Sequence, residues 1–377
     1  MKFIPYAKQS ITTGDIENVI ETLKSPYITS GPKVEEFESD LASYCGAKYC
    51  VAVSNGTAAL HLSSLILLRE GDKVLTTPNS FLATSNSILY VGAKPKFVDI
   101  CENGNIDLDL CEEELLKDPS IKAIYAVAFA GNMLDQKKLK HLKDTYNILI
   151  LEDCSHAIGA KDLNGIKAGS CRNSDMSTFS FHPVKHMTTG EGGAITTNND
   201  DIYQRLLLLR SHGVYKDATM KPWEYEMREL GLNYRITDIQ CALGISQLKK
   251  LDGFIQRRHS IAHKYDKSLL GSKVKPLHDF ETQQSSYHLY VVQVDFDAIG
   301  MKREKLFGLF KEQNIGIQVH YIPINRQPYY KKLGYGIEKT PVMDNYYQQC
   351  LSLPIYPNLT QKQQQYIIDN LSRVVDE

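Results

Sequence analysis

A lysine and an acidic pair stand where two apolar stretches of the chain end. Lys185 follows the segment Met176–Phe181, and Glu152 and Asp153 close an apolar run that begins at Asn147. A lysine amine can form a Schiff base with an aldehyde, and a carboxylate can keep a pyridine nitrogen protonated so that the ring withdraws electrons. An enzyme that uses pyridoxal 5'-phosphate (PLP) needs both groups. We therefore expect a PLP site if the rest of the chain supplies its other parts.

Other polar or glycine-containing segments also follow predicted strands. In 54–57 a glycine lets backbone N–H groups approach a phosphate at a helix N-terminus, and an ordinary strand-to-helix turn is the alternative. Phe81 can stack on a flat ring or belong to the core. His156 can lie over such a ring or be a satisfied core histidine, and Ser180 can contact a phosphate. These positions are the candidates for binding a flat, phosphorylated ligand.

Short apolar runs alternate with amphipathic segments over the first 200 residues. Near-continuous apolar runs of this length are typical of strands buried on both faces of a largely parallel sheet. Alternation with helices predicts an α/β fold with helices on both faces of the sheet. The predicted strands are 50–53, 73–76, 96–99, 121–127, 147–151, 176–181 and 193–196, and the predicted helices include 57–69, 108–117 and 135–146.

The pattern changes beyond residue 200. Thr237 and Gln240 have the spacing of a helix capping box. We place a boundary near residue 250, between a large domain (1–250) and a smaller α+β domain (251–377). Predicted elements of this part are helices at 201–210, 253–270, 302–313 and 361–374, and strands at 287–294 and 316–321.

Composition and motif spacing argue against several classes of protein. The formal net charge of −1 lacks the basic footprint of a nucleic-acid binder. Apolar runs such as 148–151 are far too short to span a membrane. The first residues show no secretory h-region, so we expect a cytoplasmic protein. A glycine fingerprint for dinucleotides and a Walker A motif are both missing from the sequence, which disfavours a nucleotide-binding dehydrogenase.

The cysteines and histidines do not predict a metal or a thiol nucleophile. The eight cysteines are scattered and form no C-x-x-C, so we expect reduced thiols. The 11 histidines show no ligand spacing with cysteines, and we expect no metal site. Cys154 and His156 are two residues apart and would not face each other on a helix.

Taken together, the motifs resemble those of the DegT/StrS-type nucleotide-sugar aminotransferases, which are PLP enzymes of fold type I. The resemblance extends from about residue 4 to residue 371, and several motifs occur in the family's order. It rests on Tyr6 and on the segments 29–32, 54–60, 152–157, 180–185, 190–194, 211–213 and 231–235.

The resemblance implies a role for each matching residue. Lys185 would form the Schiff base with PLP, and Asp153 would pair with the pyridine nitrogen. Phe81 and His156 would flank the ring. The resemblance also implies a homodimer with shared active sites. Gly56, Thr57 and Ser180 would hold the phosphate, together with Asn233 of the partner subunit. The residues that would contact the nucleotide sugar are Tyr6, Pro26, Tyr27, Ile28, Thr29, Gln318, Val319, His320 and Tyr321.

Within the family, the likeness is greatest to the branch that acts in the pseudaminic acid pathway. This implies transfer of an amino group from L-glutamate to C4 of a UDP-linked 2-acetamido-4-keto-2,6-dideoxy-L-hexose. Ala128 stands where relatives often carry His or Asp, and His186 stands where some carry Pro. Lys185 favours amine transfer over sugar dehydration, because the dehydrating branch carries histidine there. The alternatives are another nucleotide-sugar transaminase, of bacillosamine, perosamine or 3-keto type, and a non-catalytic PLP-binding regulator.

Overall fold

The computed structural model of the chain describes residues 1–277 and 283–376. The described strands are β1 (Tyr49–Val53), β2 (Lys73–Thr76), β3 (Lys94–Phe97), β4 (Ile121–Val127), β5 (Leu149–Asp153), β6 (Lys161–Asp162), β7 (Met176–Ser180), β8 (Gly193–Thr197), β9 (Val214–Tyr215), β10 (Glu226–Met227), β11 (Val274–Pro276), β12 (Gln283–Gln284), β13 (Tyr290–Val294) and β14 (Cys350–Leu353).

The helices cover most of the chain between these strands. They are α1 (Thr13–Lys24), α2 (Pro32–Cys45), α3 (Gly56–Leu67), α4 (Ala83–Tyr90), α5 (Leu108–Lys117), α6 (Gln136–Tyr146), α7 (Asp200–Arg210), α8 (Asp238–Leu248), α9 (Leu251–Leu269), α10 (Arg303–Glu312), α11 (Pro328–Lys332), α12 (Pro341–Gln349) and α13 (Gln361–Asp376), with 3₁₀ turns at Phe129–Gly131 and Ile324–Arg326. Within the residues described, no helix combines the length and the apolar character that crossing a membrane requires.

A seven-stranded sheet forms the centre of the molecule, in the order β1-β8-β7-β5-β4-β2-β3. The strands from β7 to β3 are parallel to their neighbours, and β8 runs antiparallel to both β1 and β7. The prediction of a mostly parallel central sheet is therefore confirmed. Parallel strands place their carboxyl ends along one edge of the sheet, where ligands bind in such folds.

Side chains of β1 alternate between two separate cores, which shows that helices cover both faces of the sheet. Val51 and Val53 pack with residues of α3 and α7. Cys50 and Ala52 point the other way and pack with residues of α2 and α8. A strand directs successive side chains to opposite faces, so both faces must be buried for such an apolar strand to be stable. The predicted two-sided α/β layering is confirmed.

The C-terminal part contains a smaller antiparallel sheet in the order β11-β13-β14. Its core is formed by apolar residues of these strands with α9, α10 and α13, and Ile4 from the N-terminal segment packs among them. The capping box that opens α8 at Thr237 forms as predicted. A domain boundary near residue 250 stays a prediction.

The predicted strand at 316–321 is wrong. The backbone there makes one isolated bridge, from Gln318 to Ser352, and Ile315 pairs with Ile4 just before it. His320 and Tyr321 are instead held by side-chain contacts to Ser352 and His156. The first contact ties the segment to β14 of the smaller sheet and the second ties it to the cavity described below, so the segment does not pair along β14 as a regular strand.

Candidate active site

A cavity of about 850 Å³ lies at the carboxyl ends of the parallel strands. Asp153 ends β5 and Lys185 follows β7, and these two strands are adjacent and parallel, with Asp153 opposite Thr178. Their functional side chains therefore meet in the same cavity, although 32 positions separate them in the sequence. The segment from Gln318 to Ile322 forms part of the cavity wall.

The Asp153 carboxylate is buried, with 5% of the residue exposed. Thr84 Oγ1 donates to one of its oxygens at 2.7 Å, and the backbone N–H of Ser155 donates to the other at 3.1 Å. Hydrogen bonds donated to a carboxylate favour its ionised form. Asp153 is thus oriented by a fixed donor at each oxygen and still lines the cavity.

Lys185 is half-buried in the cavity wall, and its amine titrates well below the usual range of lysine. Burial lowers the pKa of Lys185 to about 8, and the nearby Asp153 charge opposes part of that fall. Removing an ammonium group from water disfavours the charged form. A larger fraction of Lys185 is therefore neutral near physiological pH than for an exposed lysine, which suits a nucleophile or a base.

The start of α3 packs against Ser180 on the cavity wall, and Gly56, Thr57 and Ser180 are together called the cradle. Gly56 is the first residue of this 12-residue helix, whose cap is the side chain of Asn55 accepting from the Ala58 N–H. A Cβ atom at Gly56 would lie 2.8 Å from Ser180 Cβ, so glycine lets the helix start approach this serine closely. The first N–H groups of a helix lack partners within the helix, and Thr57 also lines the cavity there. This geometry suits a bound phosphate.

Phe81 and His156 contribute aromatic walls to the cavity. Phe81 lines the cavity and is 59% exposed, so its ring is accessible to a bound ligand. His156 is buried, and its Nε2 lies 3.2 Å from the Tyr321 hydroxyl. Its Nδ1 is buried without a protein partner among the described residues. Burial, assisted by the Lys185 charge, lowers the pKa of His156 well below its usual range, so the imidazole is neutral.

The predicted sugar-contacting residues separate into two groups. Tyr6 and residues 318–321 line the cavity, and the Tyr6 and His320 rings are 5.5 Å apart. Residues 26–29 are exposed and do not line the cavity of their own chain, and the same holds for Asn233. Burial raises the pKa of the Tyr6 hydroxyl, which is therefore un-ionised at neutral pH.

Several cavity residues were not predicted from the sequence. Thr84 is the most consequential of them, because it contacts Asp153 directly. Phe81 is the only residue of segment 76–84 that was predicted to belong to the site. The hydroxyl and amide side chains of this segment follow a predicted strand, which was a usable signal. Further lining residues without a prediction are Asn55, Ser80, Glu191, Tyr234 and Gln327.

At Ala128 and His186 this chain differs from many relatives, and neither residue directs a charged group into the cavity. Ala128 is buried, and its N–H donates to the backbone oxygen of Asp153 at 3.1 Å. His186 is buried too, and its Nε2 lies 3.0 Å from the backbone oxygen of Ser286. His186 therefore ties the loop after Lys185 to the C-terminal part of the chain.

The residues present fit PLP. The amine of Lys185 and the carboxylate of Asp153 share a cavity whose wall includes an exposed Phe81. Gly56, Thr57 and Ser180 line the cavity beside the N-terminus of α3, which is a position suited to a phosphate. The unpartnered Nδ1 of His156 is a buried polar atom that the protein itself does not satisfy.

Comparison with known proteins agrees with this site. Residues 9–372 match the DegT/DnrJ/EryC1/StrS aminotransferase family. The chain is 40% identical to a UDP-4-amino-4,6-dideoxy-N-acetyl-beta-L-altrosamine transaminase of Campylobacter jejuni subsp. jejuni serotype O:2, over 99% of this chain and 98% of that protein. It is 35% identical to the spore coat polysaccharide biosynthesis protein SpsC of Bacillus subtilis, over 99% of this chain and 97% of that protein.

Solved structures give the same assignment. Helicobacter pylori PseC, described as an aminotransferase involved in the biosynthesis of pseudoaminic acid, superposes with a TM-score of 0.93 at 32% identity, over 100% of both chains. The putative sugar aminotransferase Spr1654 of Streptococcus pneumoniae in its PMP-form superposes with a TM-score of 0.91 at 31% identity, over 99% of both chains. The predictions of fold type I and of PLP as the cofactor of this family are confirmed. The chain belongs to the DegT/DnrJ/EryC1/StrS aminotransferase family.

Proposed function

We propose that this enzyme transfers an amino group from L-glutamate to C4 of a UDP-linked 2-acetamido-4-keto-2,6-dideoxy-hexose. The product would be the altrosamine derivative named for the Campylobacter jejuni relative. The observation that carries the proposal is the meeting of Lys185, Asp153 and the Gly56–Ser180 cradle in one cavity. The 40% identity to that relative over 99% of this chain supports the choice of sugar.

Lys185 acts as the amine and as the proton carrier. When bound, PLP supplies an aldehyde for capture of an amine and a ring that withdraws electrons from the neighbouring carbon. Lys185 Nζ would hold the cofactor until the amino donor displaces it. The freed Nζ would then take the proton from the α-carbon of the donor and deliver it to the cofactor carbon on the other side of the nitrogen that joins them. Its lowered pKa makes the neutral form available for this work.

Asp153 holds the proton of the ring nitrogen. Its two oxygens are fixed by Thr84 and the backbone of Ser155, so the carboxylate cannot swing away from the cavity without losing a hydrogen bond. An ionised carboxylate stabilises a proton on a neighbouring nitrogen. This keeps the ring electron-withdrawing throughout the transfer.

The second half of the reaction uses the same groups in reverse. The keto sugar enters after the oxo acid leaves, and Lys185 Nζ moves the proton toward sugar C4. Tyr6, His320 and Tyr321 would orient the sugar, because they line the cavity together and offer polar aromatic side chains. Neutral His320 suits such a contact, since burial lowers the pKa of its imidazole to about 3.

The enzyme would work as a homodimer with shared active sites. Asn233 and residues 26–29 are exposed outside the cavity of their own chain, which is where residues that serve the partner's cavity would lie. Large apolar side chains are exposed near both segments, and such patches are typical of interfaces. They are Ile16, Ile20, Leu23, Tyr27 and Ile28 on one surface, and Trp223, Tyr225, Met227 and Leu230 on the other.

A panel of keto sugars tests the choice of substrate. The enzyme loaded with pyridoxamine phosphate (PMP) is mixed separately with each keto sugar. The panel contains UDP-linked 4-keto sugars of L and D configuration, a dTDP-linked 4-keto sugar and a 3-keto sugar. We expect fastest return of the PLP absorbance with the L-configured UDP sugar. Faster return with the D-configured, dTDP-linked or 3-keto compound would reassign the enzyme to another sugar within the same chemistry.

The panel also separates the enzyme from a PLP-binding regulator. A regulator would bind the cofactor but return no PLP absorbance with any of these sugars. Lys185→Ala gives the baseline for this comparison, because it lacks the amine that carries the proton.

A further inference from the structure

Two hydroxyl groups form a chain of hydrogen bonds, here called the relay, that ends at the Asp153 carboxylate. Thr84 Oγ1 lies 2.7 Å from Asp153 Oδ2, and Ser80 Oγ lies 2.9 Å from Thr84 Oγ1. Thr84 is 1% exposed and Ser80 is 4% exposed. Both residues are therefore almost fully buried, at the wall of the cavity.

The chemistry of these groups fixes the direction of the hydrogen bonds. An ionised carboxylate only accepts, and a hydroxyl has a single proton to donate. Thr84 therefore donates to Asp153 and has only lone pairs left for Ser80. Ser80 must donate to Thr84, so the two hydroxyls form a one-way chain of donors that ends on the carboxylate.

We propose that Ser80 and Thr84 are positioning residues, which set the rotation of the Asp153 carboxylate and hold it toward the ring nitrogen. Donors in series strengthen each other in a buried environment, and donation to the charged form favours that form. The inference rests on the PLP chemistry of the proposed function, but not on the identity of the sugar. It adds two residues that act through Asp153 and do not touch the reacting atoms themselves.

The same turn of chain also carries Phe81. Residues 80–84 place Phe81 on the cavity wall, while Thr84, in the first turn of α4, points to Asp153. One short segment thus positions both the aromatic wall and the partner of the ring nitrogen. A shift of this segment would change both contacts together.

Substitution of Thr84 tests the inference directly. Thr84→Val removes the hydroxyl at nearly constant shape, and Thr84→Ser retains it. The first readout is the pH midpoint of the absorbance change of bound PLP in each holoenzyme. The second is the rate at which L-glutamate bleaches that absorbance in a single turnover.

We expect Thr84→Val to raise the pH midpoint by about half a unit or more, because a ring that is less fully protonated leaves Lys185 Nζ more basic. The bleaching rate should fall about tenfold, the effect of losing one hydrogen bond to a charged group. Thr84→Ser should stay within about twofold of the wild-type rate. Ser80→Ala should shift both readouts in the same direction by less, and Asp153→Asn sets the upper limit.

Ser85→Ala is the matched control. Ser85 is the next residue of α4, it is buried, and its hydroxyl bonds to Tyr330 and not to Asp153. Its loss should move neither readout. A Thr84→Val holoenzyme with the wild-type midpoint and rate would overturn the inference.

Two further outcomes remain decisive. If Thr84→Val does not fold, the comparison of Ser80→Ala with Ser85→Ala decides, and equal midpoints in these two proteins would count against the relay. If wild-type protein binds PLP but does not respond to L-glutamate, the proposed amino donor is wrong. The pH midpoints still test the relay in that case.

Discussion

At the scale of single residues, the site depends on the different environments of one amine and one carboxylate. Lys185 is a lysine whose charge is disfavoured by burial, and its pKa falls to about 8. Asp153 is a carboxylate surrounded by donors. A lysine whose pKa is lowered by burial, facing a carboxylate across a cavity, is typical of catalytic sites.

The lowered pKa predicts how cofactor uptake depends on pH. The neutral amine is the form that attacks the aldehyde, so the rate of PLP capture by cofactor-free protein should rise about tenfold per pH unit below pH 8. Above pH 8 the rate should level off, because most of Lys185 is then neutral. Stopped-flow absorbance between pH 6.5 and 9.5 measures this profile. A rate that still climbs at pH 9.5 would mean that Lys185 titrates like an exposed lysine.

Lys185 and Asp153 could be predicted from the local sequence, because each follows an apolar run that is typical of a buried strand. Thr84 was not recognised, because its contact to Asp153 joins positions 69 apart in the sequence. That contact depends on where α4 packs against the sheet, and local patterns do not give that position.

At the scale of elements, the start of α3 and the end of β7 form the cradle together. Gly56 at the start of α3 lets this helix approach Ser180 closely. The strand pattern predicted this junction, since apolar β1 is followed directly by Ser54-Asn-Gly-Thr57. The predicted strand at 316–321 was wrong: Val319 and Tyr321 line the cavity, and Ile317 packs in the C-terminal core without forming a regular strand.

A side chain added at position 56 should weaken cofactor binding without unfolding the protein. In Gly56→Ala the new Cβ would lie 2.8 Å from Ser180 Cβ and push the serine away. We expect the Kd for PLP to rise by about tenfold or more, the effect of losing one charge-assisted contact. Titration of cofactor-free protein with PLP measures it. Gly14→Ala in α1 is the control, because nothing lies within 4 Å of its Cβ.

A buried ion pair closes the exposed edge of the large sheet at β1. Glu38 of α2 accepts from the Ala52 N–H at 2.7 Å and pairs with Arg210. Arg210 in turn donates to the Ala52 carbonyl at 2.8 Å. Burial raises the pKa of Glu38, and the Arg210 charge opposes that rise. The pair thus satisfies the edge backbone that would otherwise remain open to another strand.

Loss of this carboxylate should destabilise the protein strongly. Glu38→Ala leaves Arg210 without its partner and the Ala52 N–H without its acceptor, a cost of about 3–5 kcal/mol. Glu36→Ala on the same helix removes an exposed pair with Lys33, which contributes about 0–1 kcal/mol. Urea denaturation compares the two variants. Equal midpoints for both would contradict the role given to Glu38.

At the scale of the whole molecule, the active site needs more than one chain under the proposed function. The cavity of one chain contains Lys185 but lacks Asn233 and residues 26–29, which are exposed elsewhere on the surface. The sequence resemblance predicted that Asn233 serves the partner subunit. The expected assembly is therefore a dimer, and it is tested in solution.

Mixing two inactive variants tests shared sites. Lys185→Ala and Asn233→Ala subunits are unfolded together, refolded as a mixture and assayed with L-glutamate and keto sugar. A mixed dimer has one site with both residues intact, so activity should exceed that of either variant refolded alone. Refolded wild-type protein gives the reference. Activity no higher than the sum of the two parents would place Asn233 outside the partner's site.

The most direct test of the central claim is the near-visible spectrum of the purified, PLP-loaded protein before and after addition of L-glutamate alone. The account predicts a yellow band that is lost as the band of pyridoxamine phosphate appears, without any sugar. Lys185→Ala should still bind PLP but show no such conversion. A wild-type protein that stays colourless after PLP is supplied would contradict the roles of Lys185 and Asp153.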